Sequence, residues 1–116
     1  MYRIPGKIQE IGKANDKPAV LMMHGWLADF KFWTCNDADL APPFILAEAG
    51  YDVWLGNNRG SRYAQAHVSL DKKEKEFWDF EWIDMGLKDT PSFIDFVLEK
   101  TGQSQLTYIG HSRGTS

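Results

Sequence analysis

The chain has 116 residues, 43% of them apolar and 25% charged, which is the composition of a globular domain rather than of a disordered segment. Its net charge is −3 with acids and bases interspersed, so nothing marks a nucleic acid or an anionic membrane as a partner. Cys35 is the only cysteine, which excludes an intrachain disulfide and a cysteine-based metal site within these residues.

The opening residues, Met1-Tyr2-Arg3-Ile4-Pro5-Gly6, carry no apolar run of signal-peptide length, and no window approaches transmembrane length. Either the protein is cytosolic or its address precedes Met1, and the second is expected. Pro18 to Met23 is a short apolar run without polar alternation, bounded by Asn15-Asp16-Lys17 and His24-Gly25. That pattern marks a strand covered on both faces, as in a parallel sheet. Tyr51 to Leu55, after Gly50, and Gln105 to Ile109, after Thr101-Gly102, read the same way.

Pro42-Pro43 opens and Gly50 closes a short helix between the first two strands. Asp79 to Lys100 places Ile83, Leu87, Ile94, Val97 and Leu98 near helical spacing among charged residues. It predicts an amphipathic helix bent at Pro91 and capped by Gly102. Asp71 to Glu76 is a mixed-sign run that reads as solvated surface. Strand, helix, strand, helix, strand implies an open α/β sheet of parallel strands with right-handed crossovers, and no linker divides residues 1–116 into more than one domain or part of one.

Gly110-His111-Ser112-Arg113-Gly114 follows the third predicted strand directly. In so sharp a strand-to-helix turn the serine backbone is strained and neighbouring segments come close, so Gly110 and Gly114 must lack side chains. The turn presents Ser112 at the carboxyl edge of the sheet, where open α/β folds bind ligands, as a candidate nucleophile awaiting a histidine base. A three-position match of this kind arises by chance in roughly 4% of chains this long, and placement after a strand lowers that further. His24-Gly25-Trp26-Leu27 follows the first strand, where hydrolases of this architecture form an oxyanion turn. The candidate donors are the backbone N–H groups of Trp26 and Arg113.

The chain resembles the acid lipase family of α/β-hydrolases. The resemblance rests on Tyr2 to Pro5, Leu21 to Gly25, Ile45 to Gly60, Glu76 to Phe80, Asp89 with Pro91, Ile94 to Phe96 and Gly110 to Ser112, with Tyr51 to Gly60 the most distinctive stretch. It implies a lipase: hydrolysis of triacylglycerols or sterol esters at a lipid–water interface by a Ser-His-Asp acyl-enzyme mechanism, without metal or organic cofactor, in a secreted or lysosomal protein. Position by position, Ser112 matches the nucleophile and Trp26 and Arg113 match the oxyanion donors. The family usually has leucine in place of Trp26 and glutamine in place of Arg113. In this fold the triad runs Ser, Asp, His, so both partners are expected beyond Ser116, and two early strands before Met1. The 116 residues are therefore expected to be a truncated α/β-hydrolase domain, inactive alone. The alternatives are a non-catalytic fragment or interaction module, or another serine acyl hydrolase such as an esterase or thioesterase.

His111, adjacent to Ser112, is badly placed to serve it as a base, and His67 and His24 read as packing or loop-bracing residues. Asp52, Asp84, Asp89 and Asp95 precede the nucleophile and read as surface or capping residues. Phe30, Phe32, Trp33, Phe77, Trp78, Phe80 and Trp82 read as core, Arg59 as one half of an ion pair, and Cys35 as a buried filler. The Arg113 guanidinium is a candidate source of favourable charge beside the oxyanion.

Overall fold

Four strands form one sheet in the computed structural model, which describes residues 1–6 and 16–115: β1 (Tyr2–Ile4), β2 (Ala19–Met23), β3 (Asp52–Leu55) and β4 (Thr107–Gly110). Their order is β1-β3-β2-β4, with β2 parallel to both neighbours and β1 antiparallel to β3. One expectation is corrected here: the sheet is mixed rather than all parallel, because Tyr2–Ile4 adds an antiparallel strand to the three expected. Arg3 holds it in place: its guanidinium donates to both oxygens of Asp52, at 2.8 and 2.9 Å, and lies over the Trp54 ring. Asp52 is fully buried, not a surface residue, because that bidentate pair satisfies its charge. Asn15, at the expected boundary of the first strand, lies outside the described residues.

The continuous apolar run of β2 has a direct cause. Ala19, Leu21 and Met23 face one layer, with Trp54 and Val97, while Val20 and Met22 face another, with Ala47, Val53 and Leu55. Successive strand side chains point to opposite faces, and a helix packs on each: α1 (Pro42–Glu48) on the second, and the long helix ending at Thr101 on the first. β4 is the exception among the three expected buried strands, being an edge strand of half-buried and exposed residues.

The long helix begins at Trp82, not Asp79, because Glu81 and Asp84 form a reciprocal capping box. It runs as α2 (Trp82–Asp84), a wide π turn (Met85–Asp89) and α3 (Thr90–Thr101). The Thr90 N–H reaches back five residues to the Met85 carbonyl. Pro91 then enters at the first turn of α3, where its missing N–H costs least, and the Ser92 hydroxyl donates to the Lys88 carbonyl at 2.6 Å. The helix is thus widened just ahead of Pro91, the position where a bend was expected. Gly102, at φ 69°, closes α3 as expected. Among the described residues no helix is long and apolar enough to cross a membrane.

Candidate active site

Because β2 and β4 are parallel neighbours with Met23 opposite Gly110, the two chain segments leaving them emerge side by side. The His111 N–H donates to the Met23 carbonyl at 3.1 Å, which ties the start of one turn to the end of the neighbouring strand. The chain then winds into a single 3₁₀ turn, Ser112–Thr115. Ser112 sits at φ 53°, in the left-handed region that a non-glycine residue enters only under constraint. Three bonds supply that constraint: Gly114 N–H to the His111 carbonyl at 2.8 Å, Thr115 hydroxyl to the Ser112 carbonyl at 2.7 Å, and Tyr108 hydroxyl to the Gly114 carbonyl at 2.7 Å. Burial pushes the Tyr108 phenol above its ordinary pKa.

The two flanking glycines are required by contact. A Cβ on Gly114 would lie 2.5 Å from the Met23 carbonyl oxygen and 2.8 Å from that of His24, and one on Gly110 would collide with the Gly114 carbonyl. Gly25 on the facing turn is nearly as confined, its notional Cβ 3.1 Å from the Ser112 Cβ and 3.1 Å from His111 Nδ1. The two turns are therefore in van der Waals contact through backbone and small groups.

His24 is 2% exposed and braces its loop, as its position suggested. Its Nε2 accepts the Asn58 N–H at 3.2 Å, which leaves Nδ1 to donate to the Gly25 carbonyl at 2.9 Å and fixes the neutral tautomer. Beyond it, Trp26 is 58% and Leu27 93% exposed, and Leu27, like Ser112, is a non-glycine residue with positive φ, at 56°. The N–H groups of Trp26 and Arg113 take no part in the hydrogen bonds that tie these turns together. The Arg113 side chain turns onto two indoles, 5.2 Å from the Trp26 ring centre and 5.5 Å from that of Trp82.

A cavity of about 420 Å³ opens beside this loop, walled by Trp26, Trp78, Phe80 and Met85 and by Arg59, Arg62 and Arg113. The Asn58 Oδ1 and Ser61 Oγ atoms on its wall are buried without a hydrogen-bond partner among the described residues. Ser112 is exposed at its border and does not line it. Arg59 is held by Asp89, with Nε 2.8 Å from Oδ1 and the backbone N–H 3.0 Å from Oδ2, the ion pair expected of it. That bond raises the guanidinium pKa above its already high ordinary value.

The other candidates separate from the site. The His111 ring packs on Phe32 with centroids 4.4 Å apart, and His67 Nδ1 accepts the N–H groups of Ser69 and Leu70 at 3.2 and 3.0 Å. Asp84 is committed to its capping box and to Lys88, and Asp95 is exposed. Two readings are corrected. Cys35 is exposed, its thiol directed at the Phe32 carbonyl. Of the seven aromatic residues expected in the core, Phe77 is buried and Phe30 and Trp33 pack partly buried against the layer of Val20, Val53 and Leu55, as expected; Phe32 is exposed, Trp78 and Phe80 wall the cavity and Trp82 holds Arg113, because the loop carrying the last three passes over the site rather than under a sheet face.

A family model described as the alpha/beta hydrolase fold matches residues 18–116. A protein of Crotalus adamanteus described as a putative lysosomal acid lipase/cholesteryl ester hydrolase is 50% identical over the whole of this chain and 29% of its own length. The lysosomal acid lipase/cholesteryl ester hydrolase of Homo sapiens is 44% identical, and the gastric triacylglycerol lipase of Bos taurus 43%, each over 100% of this chain and 29% of the relative. The chain thus spans less than a third of the length of the relatives it matches.

Proposed function

The chain belongs to the alpha/beta hydrolase fold family, and on that premise we propose that it is the part of a lipid-ester hydrolase that carries the nucleophile and the oxyanion site. The observation that carries the reading is Ser112, held at φ 53° against Gly25 of the facing turn. Its hydroxyl attacks the acyl carbon of a triacylglycerol or sterol ester. The developing oxyanion accepts the N–H groups of Trp26 and Arg113, and collapse of the tetrahedral intermediate releases the alcohol and leaves Ser112 acylated. Water, deprotonated by the same histidine that activated the serine, then releases the acid.

Neither His24 nor His111 is free to be that histidine, since one braces Asn58 and the other packs on Phe32. The base and its aspartate are assigned to residues outside these 116, in the order Ser, Asp, His. The exposed Trp26 and Leu27 beside the cavity suit contact with an apolar acyl chain at a lipid–water interface, and the lysosomal and gastric relatives favour a secretory or lysosomal route.

Fluorophosphonate labelling of the full-length protein tests the assignment: the wild type is labelled and Ser112→Ala is not. Labelling that survives Ser112→Ala refutes it. An ester series of increasing chain length separates the lipase from a short-chain esterase or thioesterase, a lipase gaining activity on emulsified long-chain esters.

A further inference from the structure

Leu27 adopts a left-handed backbone and, with Trp26, is exposed, so neither residue is anchored by burial among the described residues. The one backbone hydrogen bond across their turn, Ala28 N–H to the Gly25 carbonyl, is long at 3.3 Å. The segment is fixed before it by His24 and Asn58 and after it by the Phe30 N–H donating to Asn57 Oδ1. Between those points the Trp26 ring has a charged neighbour, the Arg113 guanidinium, and Arg113 belongs to the opposite turn. No carboxylate among the described residues pairs with Arg113. Its second neighbour is the Trp82 ring, on the first residue of a helix whose start is fixed by the capping box at Glu81 and Asp84 and by the Asp84–Lys88 pair at 2.7 Å.

We infer that Trp82 is a positioning residue for the oxyanion site: with Trp26 it grips the Arg113 guanidinium, and so joins through side chains the two residues whose backbone N–H groups receive the oxyanion. The inference rests on the proposed roles of Ser112, Trp26 and Arg113. Two exposed guanidinium–indole contacts are individually weak, but here they act on one group and on one short, otherwise loosely held loop. The charge of Arg113 is thereby used to set a distance rather than to face the oxyanion. Trp82 touches no reacting atom, and losing it loosens the transition-state contact while leaving substrate binding alone.

The test uses the full-length enzyme and a soluble nitrophenyl ester, with Trp82→Leu, Trp82→Phe, Arg113→Gln and the Trp82→Leu/Arg113→Gln pair. Trp82→Leu is expected to lower kcat roughly ten-fold, equivalent to about 1.4 kcal/mol of barrier, with KM within about two-fold. Trp82→Phe, which keeps an aromatic face, recovers most of that loss. Once Arg113 is glutamine, adding Trp82→Leu lowers kcat by less than about two-fold, because the guanidinium it acts through is gone. The fluorophosphonate reaction rate follows kcat across the set. Losses that multiply in the double variant, a change confined to KM, or a Phe variant no better than Leu overturns the inference while leaving Ser112 as nucleophile. A wild-type enzyme that is not labelled overturns both readings.

Discussion

Replacing Gly114 by alanine puts a methyl group where the end of β2 already is. The added Cβ would stand 2.5 Å from the Met23 carbonyl oxygen, and ordinary contact begins at 3.4 Å, so something must move by about 0.9 Å. The strand cannot: Met23 is 0% exposed and β2 is hydrogen-bonded on both sides. The serine turn is the softer partner, being a single 3₁₀ turn at the end of its strand, and its displacement carries Ser112 and the Arg113 N–H away from the Trp26 N–H. A misplacement of about 1 Å at a reacting centre costs on the order of a hundred-fold in rate, or about 2.7 kcal/mol of transition-state stabilisation. The overpacking itself lowers stability by about 1–3 kcal/mol. Steady-state kcat/KM on a soluble ester and denaturant unfolding of the full-length protein read the two effects separately. Gly50→Ala is the control for a substitution without contact: Gly50 has positive φ, at 97°, but open space around its Cβ position. It should cost about 1–2 kcal/mol of stability through backbone strain alone, with kcat/KM unchanged. A Gly114→Ala enzyme within about three-fold of wild type would refute the argument from contact.

His24→Ala leaves the buried Asn58 N–H without its acceptor and should lower the unfolding free energy by about 1–3 kcal/mol, while His24→Gln, which supplies an oxygen, loses less; equal losses in denaturant titrations would contradict the bracing role. Tyr108→Phe removes the 2.7 Å bond to the Gly114 carbonyl and should cost about 1 kcal/mol of stability, read by chemical denaturation. Because burial raises the Tyr108 pKa above 10.0, its contribution is complete below that pH and is lost as pH rises through the higher folded value, so the Phe variant should show a shallower alkaline loss in a stability–pH curve. Asp84 is the opposite case: the Glu81 N–H, then Lys88, hold its carboxyl below the ordinary 3.8. Its contribution is full above that value and disappears as pH falls through the lower folded one, so Asp84→Asn should flatten the acid limb below pH 3.8, and an unchanged limb would count against the capping box.

β2 and β3 were legible because their burial is two-sided. An apolar run such as Ala19–Met23 has few alternatives to a covered parallel strand, and the turns that follow it and β4 announced themselves by glycine. Tyr2–Ile4 escaped notice because three residues hold no period, and its pairing depends on Arg3 meeting Asp52, a contact 49 positions apart. The aromatic residues from Trp78 to Trp82 were misread for a related reason. Hydrophobicity predicts that such side chains leave water, but not whether they meet a sheet face or one another across a loop, and the rings of Phe77, Trp78 and Phe80 do the latter. The wide turn at Met85–Asp89 likewise follows from Pro91 only once the Thr90 N–H is seen to reach the Met85 carbonyl.

What sets the proposed oxyanion site is therefore divided between two scales. Its coarse geometry comes from the sheet: β2 and β4 run parallel in register, their carboxyl ends release the two turns together, and the Met23 carbonyl contacts both His111 and the position that Gly114 must leave empty. None of this depends on the identity of the side chains at 26 and 113. The fine geometry does, because among the described residues the loop from Gly25 to Ala28 is held at its ends, and its crest is spanned by one long backbone bond and the Trp26–Arg113–Trp82 stack. An enzyme built this way loses little stability when the stack is cut and much of its rate, whereas a change at Gly114 loses both. The ratio of rate loss to stability loss is thus the quantity that distinguishes a side-chain clamp from a backbone wedge at the same pair of turns.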